Sequence, residues 1–191
     1  PPPPPAVLVF DTETTGERGP PIAIQLAWAV YDSAGNELSS RSDYLALPAG
    51  RKIMWFAKKV HGITVQKLDA EGKHPRCSLI LFFQDVERVQ RHGGLLVAHN
   101  AAFDCRAITA TAERWGGSER LDEEECLCTM RESKHRLGLV GKSGQIKAPK
   151  NAELHAHLVG TPLDAATLHD ALADVRVTAA SFFAGRRRGW W

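Results

Sequence analysis

The run AVLVF (6–10) is apolar at every position and leads without a spacer into DTETTG (11–16). A strand apolar on both faces has to be covered on both faces, so this run demands an interior strand with packed layers above and below it. Acids at its exit are a cost in that setting. Residues i and i+2 of an extended chain point the same way, so Asp11 and Glu13 place two carboxylates on one side of the strand end. Either the chain has turned into solvent there, or a cation belongs between them.

The rest of the chain supplies the layers. IAIQLAWAVYD (22–32) predicts a second strand, and SAGN (33–36) the turn into a third, ELSSRSDYLAL (37–47), as a hairpin. The period then changes: MWFAKKVHGIT (54–64) predicts a short helix and a glycine turn. SLILFFQDVERVQRH (78–92) puts Leu79, Phe82, Phe83, Val86 and Val89 near one helical face, ended by Gly93 and Gly94. LLVAHN (95–100) reads as a strand, FDCRAITATAERWGG (103–117) as a helix and CLCTM (126–130) as a fifth strand. NAELHAHLVG (151–160) and HDALADVRVTAASFFAG (169–185) are a short and a long helix. Between them, Arg131, Lys134, Arg136, Lys142, Lys147 and Lys150, interrupted by Gly138, Gly141 and Gly144, predict a mobile basic loop over 131–150 rather than a helix. Strands first and alternation afterwards give an α/β domain, a mixed β-sheet of about five strands flanked by helices.

At 191 residues the chain suits one domain. Residues 1–5, all proline, read as a linker remnant, 6–185 as the domain, and RRRGWW (186–191) as a basic and aromatic tail, its arginines suited to phosphates and its tryptophans either to bases or to the core. A 43% share of hydrophobic and 24% of charged residues is that of a globular chain, and no apolar run approaches the ~20 residues of a membrane span. The N-terminus lacks both an initiator Met and a signal-peptide pattern, which predicts trimming. A net charge of +2 argues against a strongly basic coat, so a polyanion would be held by local patches. Cys77, Cys105, Cys126 and Cys128 form no CxxC pair, which predicts buried thiols and an intracellular setting, the compartment left open. His155 and His157 would sit about 200° apart on a helix, a poor metal pair.

Two further acids stand where an element meets a turn: Asp104 in LVAHNAAFDCRAI and Asp174 in HDALADVRVTAASF. Asp174 alone has a nearby cation, Arg176. Four carboxylates converging from separate elements would not stay ionised without divalent cations.

Taken in order, FDTETTG, HNAAFD and HDALADV resemble the three motifs of the DEDD exonucleases of the DnaQ-like group, over about residues 7–184. The resemblance implies an RNase H-like fold and two divalent cations, Mg²⁺ or Mn²⁺, on Asp11, Glu13, Asp104 and Asp174. One branch of the family has a tyrosine four residues before the last Asp, where this chain has Asp170. The DEDDh branch has a histidine five residues before it, here His169. Five helical residues are about 140° around the axis, so His169 belongs in the loop ahead of the helix, with Asp170 as its N-cap. As the catalytic base, His169 would take a proton from the attacking water near neutral pH.

The same resemblance implies a 3′-5′ exonuclease that hydrolyses terminal phosphodiesters of single-stranded ends, DNA or RNA, to nucleoside 5′-monophosphates. Thr14 and Thr15 would touch the terminal nucleotide, and His61 and Ile63 would pack on its sugar or base. Asn100 either bonds the nucleotide or closes the turn that aims Asp104, and Phe103 packs under a base or in the core; His99 reads as structural. The rival readings are a nucleic-acid- or protein-binding module of the same fold with weak turnover, and an exoribonuclease specific for RNA or short oligonucleotides. The choice between RNA and DNA, the biological role and the oligomeric state stay open.

Overall fold

The computed structural model describes residues 4–16, 19–161, 163 and 170–191. Five strands carry the architecture: β1 (Val7–Thr14), β2 (Ala23–Tyr31), β3 (Glu37–Tyr44), β4 (Leu95–Ala98) and β5 (Cys126–Cys128). They lie in the order β3-β2-β1-β4-β5, with β2 antiparallel to both β1 and β3, and β4 parallel to both β1 and β5. β1 is thus the central strand, as its unbroken apolar run requires.

Alternation along β1 divides the core. Leu8 and Phe10 pack with Trp28, Leu79, Phe82 and Ile108, the layer built from α3 (Pro75–Arg91) and α4 (Ala101–Arg114). Val7 and Val9 pack on the other face with Ala171, Val175 and Phe182 of α7 (Ala171–Arg187). The described residues also form the shorter α-helices α1 (Trp55–His61), α2 (Val65–Glu71), α5 (Thr129–Leu137) and α6 (Asn151–Val159), and a 3₁₀ turn over Glu123–Glu125. Among the described residues no helix is long and apolar enough to cross a membrane.

The expected strand over 126–130 stops at Cys128, and residues 131–137 of the expected loop are helical. Capping explains the difference. Arg131 N donates to Cys128 Sγ (3.4 Å), Ser133 Oγ donates back to Thr129 O (2.6 Å) with both residues buried, and Gly138 closes the helix in the left-handed region at φ 60°. Lys134, His135 and Arg136 fall in the last turn, where the helix dipole favours positive charge. Basic composition predicts a loop here, and in the structure it is the exposed side of a capped helix. The sequence pattern also leaves α2 unassigned, a helix that Thr64 caps by accepting from Lys67 N (3.1 Å).

Cys105, Cys126 and Cys128 are buried free thiols, with Cys105 Sγ and Cys126 Sγ 3.8 Å apart, whereas Cys77 is exposed, against expectation. At the C-terminus α7 runs past 185 to Arg187 and the chain folds back onto it. Trp191 stacks on Phe182 and its Nε1 donates to Phe182 O (2.8 Å). Of the two roles open to it, this tryptophan takes the core.

Candidate active site

The register of β1 delivers its acids to two sides. Past Val9 the odd-numbered side chains keep to the α7 face, so Asp11 and Glu13 meet Asp174, which lies in the first turn of α7. One oxygen from each of the three lies within 4.8 Å of the others. Thr12 faces the other way and holds the fourth acid: its N and Oγ1 both donate to Asp104 Oδ1, at 3.0 and 2.7 Å. Asp104 is only 3% exposed. The expected carboxylates do converge, as a triad with a fourth member reached across the strand end.

Asp104 and Asp174 are each aimed by bracing from the residues around them. Asn100 reverses the chain between β4 and α4 at φ 87°, a left-handed backbone that asparagine tolerates, and its carbonyl accepts from Phe103 N (2.8 Å) one residue before Asp104. Asp170 caps α7 as expected, its Oδ1 accepting from Leu172 N and Ala173 N. Its Oδ2 accepts from Gln25 Nε2 (2.9 Å), and Asn151 Nδ2 on α6 donates to Asp174 O (3.2 Å) and Thr178 Oγ1 (3.0 Å). Arg176 turns away from the acids to a two-pronged pair with Glu37, at 3.1 and 3.0 Å. Sequence reasoning missed Thr12, Gln25 and Asn151. For Gln25 a signal existed, since it is the one amide in the apolar run from Ile22 to Val30.

Of the expected substrate contacts, Thr14, His61 and Phe103 line a cavity of about 480 Å³ that Glu13 also borders. Thr15 and Ile63 are buried beside it: Thr15 N donates to Ile22 O (3.0 Å), and Ile63 packs with Ile24 and Leu68. His99 bridges Thr129 Oγ1 (3.0 Å) and Pro149 O (3.1 Å), and burial holds its imidazole down to about 4, so it is neutral near pH 7. His169 lies outside the described residues.

Burial, then repulsion from Asp104, Glu13, Asp174 and Asp170, pushes Asp11 well above the usual carboxyl range. Burial, then Asp174, Asp104 and Asp170, pushes Glu13 up to about 8, and burial raises Asp104 to about 7 against the hydrogen bonds from Thr12. Between the ordinary 4.5 of Glu13 and its folded value of about 8, the folded chain holds a proton that the unfolded chain has released, so stability falls as pH rises through that window. Metal-free protein is therefore expected to melt at a lower temperature at about pH 8 than at about pH 5, with a flatter profile for Glu13→Gln. Melting curves across the window check this. A wild-type melting temperature that rises with pH, or an unchanged slope in the variant, would contradict it.

Residues 8–182 match the sequence profile of the exonuclease family RNase_T. No curated protein matches the chain significantly by sequence. Among solved structures, Exonuclease I of E. coli in a zinc-bound complex with single-stranded DNA superposes with a TM-score of 0.70 at 18% identity, covering 97% of this chain and 41% of that one. Exonuclease X in complex with 5′-overhanging duplex DNA gives 0.62 at 22% identity, covering 97% and 94%. A 3′-exonuclease that recognises a histone mRNA stem-loop gives 0.67 at 14% identity, covering 96% and 64%. The chain thus spans about two fifths of Exonuclease I (41%). At these identities the likeness is one of fold.

Proposed function

We propose a function from one premise: the chain belongs to the DnaQ-like, DEDDh exonuclease family. It is a 3′-5′ exonuclease that hydrolyses the terminal phosphodiester of a single-stranded nucleic-acid end and releases nucleoside 5′-monophosphates. The observation that carries this reading is the meeting of Asp11, Glu13 and Asp174 within 4.8 Å. An all-carboxylate donor set suits a hard divalent cation, Mg²⁺ or Mn²⁺, and positive charge there removes the repulsion that keeps protons on the acids.

Two cations, as in the family, would be held by Asp11, Glu13, Asp104 and Asp174. When bound, they supply Lewis-acid activation of water and charge stabilisation of the departing 3′ oxygen. The chain's own side chains do the rest. Thr12 keeps Asp104 oriented with two hydrogen bonds, while Gln25 and Asn151 brace the start of α7 and so the direction of Asp174. His169 takes the proton of the attacking water, whose oxygen bonds to phosphorus as the bond to the 3′ oxygen breaks. Thr14, His61 and Phe103 hold the terminal nucleotide in the cavity beside Glu13. The single-stranded DNA and the mRNA stem-loop of the fold's relatives support a nucleic-acid 3′ end as the substrate.

The test is a 5′-labelled single strand incubated with the protein and Mg²⁺ or Mn²⁺, beside matched RNA and duplex DNA. Stepwise shortening from the 3′ end that stops on chelation is expected. A strand that is bound and never shortened would sink the enzyme reading in favour of a binding module.

A further inference from the structure

The cavity beside Glu13 does not close behind Phe103. Arg106, Gly19 and Pro21 line it and also line a second, larger cavity of about 640 Å³, so the two spaces meet at these three residues. α4 runs along both. Phe103, Arg106, Ala110 and Glu113 stand at spacings of three and four, on one helical face. Phe103 belongs to the first cavity, Ala110 and Glu113 to the second, and Arg106 to both. At a rise of about 1.5 Å per residue, the groove follows the helix for about 15 Å past Phe103.

Ties to the same helix build the second cavity. Ala23 N donates to Thr111 Oγ1 (2.9 Å), which fixes the chain that follows Pro20 and Pro21. Leu121 N donates to Thr109 Oγ1 (3.3 Å), which holds the segment that carries Asp122 and Glu123, and Arg120 pairs with Glu113 (2.7 Å). Arg106 is exposed, and among the described residues no hydrogen bond or ion pair engages its guanidinium. It is also the one arginine or lysine among the described residues that line the first cavity. The charge is therefore uneven: an unengaged cation stands at the junction, with Asp122 and Glu123 beyond it. One phosphate is favoured at the junction, and a second one further in is repelled.

We propose that Arg106 binds a phosphate carried on the 3′ oxygen of the terminal nucleotide, so that the protein accepts strands ending in a 3′-phosphate as well as in a 3′-hydroxyl. This rests on the reading that the terminal nucleotide lies in the first cavity with its 5′ phosphate at the acids, and it names which 3′ ends are taken. The scissile phosphate joins the sugar through C5′, so a group on the 3′ oxygen points past the sugar rather than back at the acids. A site closed behind the sugar would reject any such group, and this one opens at Arg106. A guanidinium suits a terminal phosphate because its fork donates to two oxygens at once. The bonds that change are those of the proposed hydrolysis. The water oxygen joins to phosphorus, the bond to the 3′ oxygen of the preceding nucleotide breaks, and that oxygen ends as a hydroxyl. The first product is then a nucleoside 3′,5′-bisphosphate, and later ones are 5′-monophosphates.

The experiment measures binding of two 5′-fluorescein strands of one sequence, one ending in a 3′-hydroxyl and one in a 3′-phosphate, by anisotropy with Ca²⁺ in place of Mg²⁺. Wild type is expected to bind the two within about tenfold of each other. Arg106→Gln should weaken the 3′-phosphate strand by roughly 10- to 150-fold more than the 3′-hydroxyl strand, the range of a charged hydrogen-bonded contact. Arg106→Lys should restore part of that loss, since it keeps the charge without the fork. Because the side chain is exposed, circular dichroism and melting of both variants should match wild type. Wild type that binds the 3′-phosphate strand more than about tenfold more weakly overturns the proposal, as does an equal loss on both strands, or none, in Arg106→Gln. With Mg²⁺, the nucleoside 3′,5′-bisphosphate is expected as the first product of the 3′-phosphate strand. A 3′-hydroxyl strand that is shortened beside a 3′-phosphate strand that is bound and left intact also overturns it. Both strands bound and neither shortened overturns the nuclease reading alone, since Arg106 is judged by affinity.

Discussion

Asp11→Asn is expected to reduce kcat/KM for strand shortening by on the order of 10³ or more, while making the metal-free protein more stable near neutral pH. Asp11 is the residue on which the site's charges converge: Glu13 and Asp174 each bring an oxygen within 4.8 Å of its own. An amide keeps the shape and removes the charge. Losing several kcal/mol of cation-derived transition-state stabilisation, at about 1.36 kcal/mol per factor of ten, gives the expected loss. The same change relieves burial of an ionisable group and repulsion from Asp104, Glu13 and Asp174, so the folded state gains where an ordinary core substitution would cost it. The rise in melting temperature expected of wild type with Mg²⁺ should shrink or vanish, because such a rise measures binding to the folded state. Hydrolysis rates and melting curves with and without Mg²⁺ decide it, and activity within a factor of ten of wild type would remove Asp11 from the site.

His169→Ala separates proton transfer from metal binding. A general base contributes about 10² to 10⁴ in rate, so turnover should fall by that range while the Mg²⁺-dependent rise in melting temperature stays as in wild type. The pH–rate profile carries the signature: wild type should lose activity as pH falls and a general-base imidazole takes up its proton, and the variant should lack that limb. Turnover equal to wild type would take the histidine out of the mechanism. A lost Mg²⁺ response would make it a metal-site residue instead.

Much of this was legible in residue order because it depends on near neighbours. The unbroken apolar run from Val7 to Phe10 requires a central strand, and β1 is one. Asp11 and Glu13 share a side because they are two residues apart in an extended chain. Asp170 caps α7 because its side chain reaches the amides two and three residues on. Local reading failed where composition and capping disagreed: the basic stretch that begins at Arg131 looks like a loop, yet Cys128, buried Thr129 and Ser133, and Gly138 make its first part a helix.

What tertiary structure alone decided is which acid meets which, and what stands around them. Thr12 reaches Asp104 across 92 positions and Gln25 reaches Asp170 across 145. No periodicity in the chain encodes such pairs, because they exist only once β1 lies between α4 on one face and α7 on the other. The same packing turns Arg176 towards Glu37 and sets Phe56 of α1 in the wall of the cavity beside Glu13. Sequence determined the carboxylates and the elements that carry them, since chemistry and local backbone preference are properties of short segments. The sidedness of the site came from the fold, because alternation on a central strand sends neighbouring residues to opposite layers.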